Sequence, residues 1–178
     1  MTTGRTLSAT DLEDLVNGAC LFGAGGGGPF SLGESLAKQI VSHGAPVVLA
    51  SVSSMTAADS CCVSAGVGSP DAAASGFPFD AAAHAFDALG RVRGSAVTHV
   101  MPAELGAANS ILPMTVAALR GIPILDAAGS FRAVPEIEQS TFATRGAPIG
   151  TVVLANADQE VYFPGTDPPT VDATMRGI

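Results

Sequence analysis

GSAVTHVMPAELGAANSILPMTVAALRGIPILDAAG, Gly94 to Gly129, decides the fold. Its opening, Gly94–Glu104, is an apolar run that reads as a strand. AANSILPMTVAALRG, Ala107–Gly121, carries helical spacing, with Pro113 either interrupting the helix or beginning it. IPILDAAG, Ile122–Gly129, is a second short apolar run of the kind that forms a buried strand.

The same alternation continues on both sides. Upstream, Ala45–Ser51 (APVVLAS) and Ser60–Pro70 (SCCVSAGVGSP) read as strands, and Phe79–Gly90 (FDAAAHAFDALG) as a helix. Downstream, Val134–Gly146 (VPEIEQSTFATRG) is expected to be a helix with Pro135 at its first position. Pro148–Asn156 is then a fifth strand and Gln159–Phe163 a short sixth. At the N-terminus, Ser8–Phe22 reads as a helix capped by Ser8 or Thr10. Pro29–Gly44 reads as another, with Ser31 and Glu34 in capping-box register and Leu32, Leu36, Ile40 and Val41 as its apolar stripe. Gly44 is its stop, with His43 in the last turn.

Such alternation predicts an α/β fold, a three-layer sandwich with a mostly parallel sheet and helices on both faces. It spans residues 1–163 and leaves 164–178 as a poorly patterned tail. Ligands in these sheets bind beyond the carboxyl ends of the strands. Attention therefore falls on Gly66–Pro70, Pro102–Asn109 and Asp126–Glu136.

Composition narrows the function. The 178 residues are 47% hydrophobic and 13% charged, ample for a core and too apolar for disorder. Eight basic against sixteen acidic residues give a net charge of −8, which argues against nucleic acid as a partner. No apolar run is long enough to span a bilayer and no signal peptide is evident, so a cytoplasmic protein without a membrane partner is expected. Cys20, Cys61 and Cys62 are neither a disulfide framework nor a zinc pattern. They are expected to be reduced and mostly buried; the alternative is a thiol nucleophile at Cys61 or Cys62, for which no base is visible. His43 and His84 read as helix residues and His99 as a core histidine. No G-x-S-x-G elbow is present.

CLFGAGGGGPF, Cys20–Phe30, carries five glycines. A helix precedes it, whereas a dinucleotide fingerprint needs a strand there, and no Lys-Ser/Thr follows, so it is not a phosphate-binding P-loop. Two readings stay open. The amides of Gly25, Gly26, Gly27 and Gly28 form an anion-binding nest beside the next helix start, or the glycines only permit a tight turn.

The strand ends hold the richest polar set in a charge-poor chain: Glu104, Asn109, Asp126, Arg132 and Glu136. Carboxylates there suit acid–base chemistry, Arg132 suits a bidentate contact, and Asn109 both donates and accepts. Each has a plainer alternative. Glu104 and Asn109 can cap a helix, Asp126 can hold its turn, Arg132 can pair with Glu136, and Glu136 can favour a helix dipole. Carboxylates without a nearby histidine make a metal cluster a poor fit. No cofactor is identifiable.

Taken in order, DLVNGACLFGAGGGGPFSLG, GVGSP and PAELGAANSILPMTVAALRGIPILDAAGSFRAVPEIEQSTF resemble the S-methyl-thiohydantoin desulfurase domain family, from about Leu12 to Asp158. The match covers Gly23, Gly25–Gly28, Gly68, Pro70, Glu104, Gly106, Asn109, Asp126, Gly129, Arg132, Ala133, Pro135 and Glu136. The resemblance implies an N-terminal three-layer α/β domain, followed in the family by a β-rich domain absent from this chain. It also implies a role in processing hydantoin-like rings, often beside hydantoinase/oxoprolinase subunits. Glu104, Asp126 and Arg132 would be the catalytic residues, and Gly25–Gly28, Asn109 and Glu136 would bind a small-molecule substrate. The chain departs from the pattern at Pro29, where an acid is usual, at Ala107, where a second glycine is usual, and at Ala128, where a second acid is usual. Ser130 and Phe131 replace a Met-Gly pair. The expected activity is a hydrolase or desulfurase on cyclic amides, with a non-catalytic scaffold subunit and a small-molecule sensor as alternatives. A homo-oligomer, or a companion chain supplying the β-rich domain, is the expected assembly.

Overall fold

The computed structural model describes residues 4–68, 77–156, 158–165 and 167–176; Ser69 and Pro70, which close the expected GVGSP turn, lie outside them. The fold is α/β, a sandwich built on a five-stranded, mostly parallel sheet. Its strands are β1 (Gly4–Thr6), β2 (Val48–Ala50), β3 (Cys61–Ser64), β4 (His99–Pro102) and β5 (Ile124–Leu125), in the order β1-β2-β5-β4-β3. β2, β5, β4 and β3 run parallel, with Leu49 opposite Ile124 and Cys62 opposite Val100. β1 adds an exposed antiparallel edge.

Period-two alternation splits the core. Val100 and Ile124 join the larger cluster, with Val16, Leu36, Ile40 and Val116 from the helices. Met101 and Leu125, one residue on, join Ala50 in a smaller cluster. β4 is buried at all four positions, so its sequence is continuously apolar apart from His99. The His99 ring is satisfied by the Thr98 hydroxyl, 2.8 Å from Nδ1.

The helices are α1 (Ala9–Gly23), α2 (Phe30–His43), α3 (Ala81–Arg93) and α4 (Leu112–Arg120). Ser8 caps α1 in a full capping box: Asp11 N–H donates to Ser8 Oγ at 3.1 Å, and Ser8 N–H donates to Asp11 Oδ2 at 2.8 Å. The box expected at Ser31 and Glu34 does not form. α2 starts two residues earlier, at Phe30, so Pro29 is the cap and Ser31 already lies inside the first turn. Glu34 instead pairs with Lys38, 2.9 Å away. Val41 is 48% exposed and stands outside the stripe, whose buried positions are Gly33, Leu36, Ala37 and Ile40. Pro113 begins α4 rather than breaking it.

Residues 134–146 correct a further expectation. They form a 3-10 turn at Ile137–Gln139 and the short helix α5 (Thr141–Thr144), not one helix. Ser140 is extended between them, and its hydroxyl accepts from Ala143 N–H, so it restarts the chain as a cap. The fifth and sixth expected strands, β6 (Val152–Ala155) and β7 (Glu160–Phe163), leave the main sheet and form an antiparallel hairpin. Within 164–178 lies α6 (Pro168–Arg176), which opens with Asp167 accepting from Thr170 N–H at 3.0 Å. No described helix is long and apolar enough to cross a membrane.

All three cysteines are free. Burial pushes the Cys61 thiol from 9.0 up to about 12, with the neighbouring Cys62 adding to it, and burial pushes Cys62 up to about 11. Neither thiol is poised as a nucleophile. Folding therefore holds two protons that the unfolded chain releases above pH 9, so this contribution to stability is lost as pH rises from about 9 toward 12. At pH 8.5 a thiol reagent should label Cys61 and Cys62 at least tenfold more slowly in native protein than in urea. Equal rates would show that the β3 thiols are open to solvent.

Candidate functional site

The loops that leave β3, β4 and β5 are laced together at the carboxyl end of the sheet. Ala103 N–H donates to Ser64 O at 3.0 Å, Leu105 N–H to Ser130 O at 3.1 Å, and Gly129 N–H to Pro102 O at 3.0 Å. Glu104 stands at the centre of this lacing and is 8% exposed. Its Oε1 accepts from Asn109 Nδ2 at 2.8 Å and its Oε2 from Val134 N–H at 2.6 Å. Asn109 Oδ1 in turn accepts from Gly66 N–H at 2.9 Å. One relay, Gly66–Asn109–Glu104–Val134, buried at its centre and half-buried at both ends, thus joins three strand ends. A carboxylate accepts through four lone-pair positions, so two bonds leave Glu104 with acceptor capacity.

The glycine loop is pressed onto this relay. α1 ends at Gly23 and is capped by Ala24, whose φ of 47° is left-handed, and Gly25, Gly27 and Gly28 follow at φ 95°, 73° and 85°. Gly27 O accepts from Ala108 N–H at 3.1 Å and from Asn109 N–H at 3.0 Å, which fixes the approach to α4. A Cβ on Gly27 would lie 2.5 Å from Gly106 Cα and 3.4 Å from Glu104 Oε1. A Cβ on Gly26 would lie 2.5 Å from Ala133 Cβ. These glycines serve close packing, and the amides of Gly25, Gly27 and Gly28 have no hydrogen-bond partner among the described residues. Gly26 N–H donates to Gly23 O at 2.9 Å, so the contacts show close packing and leave three of the four loop amides open among the described residues.

Between the loop and the chain after β5 lies a cleft of about 630 Å3. One wall is Phe22 to Ala24 with Gly26 and Gly27; the other is Arg132 to Pro135; Glu104 opens into it. The Arg132 guanidinium is exposed, bonds only to the adjacent Ala133 O at 3.4 Å, and has no acidic partner among the described residues.

Of the residues singled out in the sequence, Gly26, Gly27, Glu104 and Arg132 meet in this cleft, and Asn109 stands one hydrogen bond behind Glu104. Gly25 and Gly28 belong to the loop without lining the cleft. Asp126 is exposed and lines a separate depression of about 520 Å3 with Arg5 and Ser51. Glu136 is extended, not in a helical first turn, and accepts from Gln139 Nε2 at 3.2 Å. Sequence reasoning missed Phe22 and Val134. Phe22 looked like one more apolar helix residue, and Val134 contributes its backbone N–H, which no side chain announces. Among the described residues no group of three His, Cys, Asp or Glu side chains converges as a metal site.

The fold and cleft define an α/β module with an open cleft at the carboxyl ends of its parallel strands. The chain belongs to the S-Me-THD-like family, whose N-terminal domain model matches residues 10–164. The X-ray crystal structure of a protein from Chromobacterium violaceum shares the fold with a TM-score of 0.82 and 28% sequence identity. The similarity covers 97% of this chain and 49% of that one, so the chain spans about half the length of its structural relative. No curated protein matches the chain.

Proposed function

We propose that the cleft binds a hydantoin- or thiohydantoin-like ring, and that the module acts as a ring-processing enzyme or its N-terminal part. One observation carries the reading: a buried carboxylate, together with a guanidinium free of acidic partners and a glycine amide free of acceptors among the described residues, belongs to residues lining one cleft. In this reading Glu104 takes the proton of a water that adds to a ring carbonyl. Gly27 N–H and Arg132 offset the charge that develops on the carbonyl oxygen. Asn109 and Val134 N–H hold the Glu104 carboxyl in place. Asp126 has no part, because it faces the other depression.

Membership in the S-Me-THD-like family supports the choice of ring. A thermal-shift series with hydantoin, 2-thiohydantoin and succinimide tests it. A ring at 100 times its dissociation constant adds about 2.7 kcal/mol to stability. For a chain of this size that raises the melting temperature by roughly 5–11 °C. No shift with any of the three at millimolar concentration would defeat the reading.

A second reading, a non-catalytic binding or scaffold subunit, is favoured by one observation: among the described residues Glu104 is the one carboxylate lining the cleft. In that case the module binds the ring without turning it over. A homo-oligomer or a companion chain with the β-rich half, in the cytoplasm, remains the proposed setting for either.

A further inference from the structure

We infer that the cleft takes a ring carrying an apolar substituent, and that Phe22 is the residue that selects it. The inference rests on the ring-binding reading above and adds the part of the substrate outside the ring. Its first support is volume. At about 630 Å3 the cleft falls within the range of drug-sized ligand sites. A bare five-membered ring fills only a small part of that space.

Its second support is the division of the lining. The polar groups able to read ring C=O and N–H edges lie around Glu104, Arg132 and Gly27. The remaining lining side chains, Phe22, Val134 and Pro135 above all, are apolar and offer a substituent no hydrogen bond. Phe22 lies in the last turn of α1, four residues before Gly26, and is 59% exposed. An aromatic ring facing an open cleft gains by being covered, and an apolar group on the ligand is what covers it. Arg132 remains free for the ring oxygen in this arrangement, so a charged substituent is not required to satisfy it. The substrate class is therefore a ring with an alkyl or arylalkyl group on the carbon between its carbonyl and its N–H.

Calorimetric titration of the whole chain with hydantoin, 5-isobutylhydantoin, 5-benzylhydantoin and hydantoin-5-acetic acid tests this. The two apolar ligands should bind at least about tenfold more tightly than hydantoin, as filling an apolar subsite does. Phe22→Ala should remove that advantage, weakening the two apolar ligands at least about tenfold more than it weakens hydantoin. Phe22→Leu should restore most of it. Because Phe22 is largely exposed, the melting temperature of the free variants should match the parent, which separates lost recognition from lost folding. If all four ligands bind equally, or the acetic acid derivative binds best, or Phe22→Ala weakens every ligand alike, the Phe22 inference fails while the ring reading stands. If none of the four binds, the ring reading itself fails.

Discussion

Gly106→Ala is expected to unseat the glycine loop and to lower stability by about 3 kcal/mol, the upper part of the usual range for overpacking. An added Cβ would land on Gly27 Cα, with Gly26 O only 2.9 Å away. Both neighbours are backbone, so no side chain can swing aside. Gly106 has ordinary backbone angles, and the cost is therefore steric rather than conformational. The melting temperature should fall by roughly 6–12 °C. The loop must also lift from Ala108 and Asn109, whose N–H groups donate to Gly27 O, so ring binding should fall with stability. Gly18→Ala is the matched control. Gly18 lies inside α1 with nothing within 4 Å of a built Cβ, so that change should add about 0.5–1 kcal/mol. A Gly106→Ala protein as stable as the parent would show that the loop does not rest on the strand ends.

The parallel core was legible because its signals are local. The apolar runs at Val97–Pro102 and Ile122–Leu125, with a helix between them, leave few other ways to bury their side chains. The β6–β7 hairpin was also within reach. Only a few residues separate its strands, too few for a parallel crossover. Asn156 Oδ1 accepts from Asp158 and Gln159 N–H, the turn chemistry that asparagine brings. Residues 134–146 misled because Pro135, Glu136 and the later Phe142 mimic a helix start and stripe, while Ser140 is as good a cap as it is a helix residue.

The site was half legible. The rule that ligands gather beyond strand ends pointed to the end of the sheet where the cleft lies, yet a strand end has two sides. Asp126 follows β5 onto the side shared with Arg5 and Ser51, whereas Glu104 turns into the cleft. Which side each carboxylate takes depends on long-range bonds, such as Val134 N–H to Glu104, thirty residues away. Short-range spacing carries no trace of those.

Glu104 holds the structure together at the place where chemistry is proposed, and a cycle of substitutions can separate the two roles. Glu104→Gln turns one carboxylate oxygen into an NH2 that must face either Asn109 Nδ2 or Val134 N–H, donor against donor. That should cost about 2 kcal/mol, within the range for a buried polar group left without its bond. Asn109→Asp alone sets a second carboxylate against Glu104 and should cost at least as much. Combined, the two changes restore every bond. The amide now at position 104 donates to the carboxylate now at position 109 and accepts from Val134 N–H, while that carboxylate still accepts from Gly66 N–H. Stability should return to within about 0.5 kcal/mol of the parent, a coupling that only contacting residues show. The carboxylate has then moved one hydrogen bond back from the cleft while the net charge is unchanged. If Glu104 is the proton acceptor, the refolded double variant should process the ring about 100-fold or more slowly than the parent. If it regains the parent rate along with the parent stability, Glu104 is a clamp and the reacting base lies elsewhere.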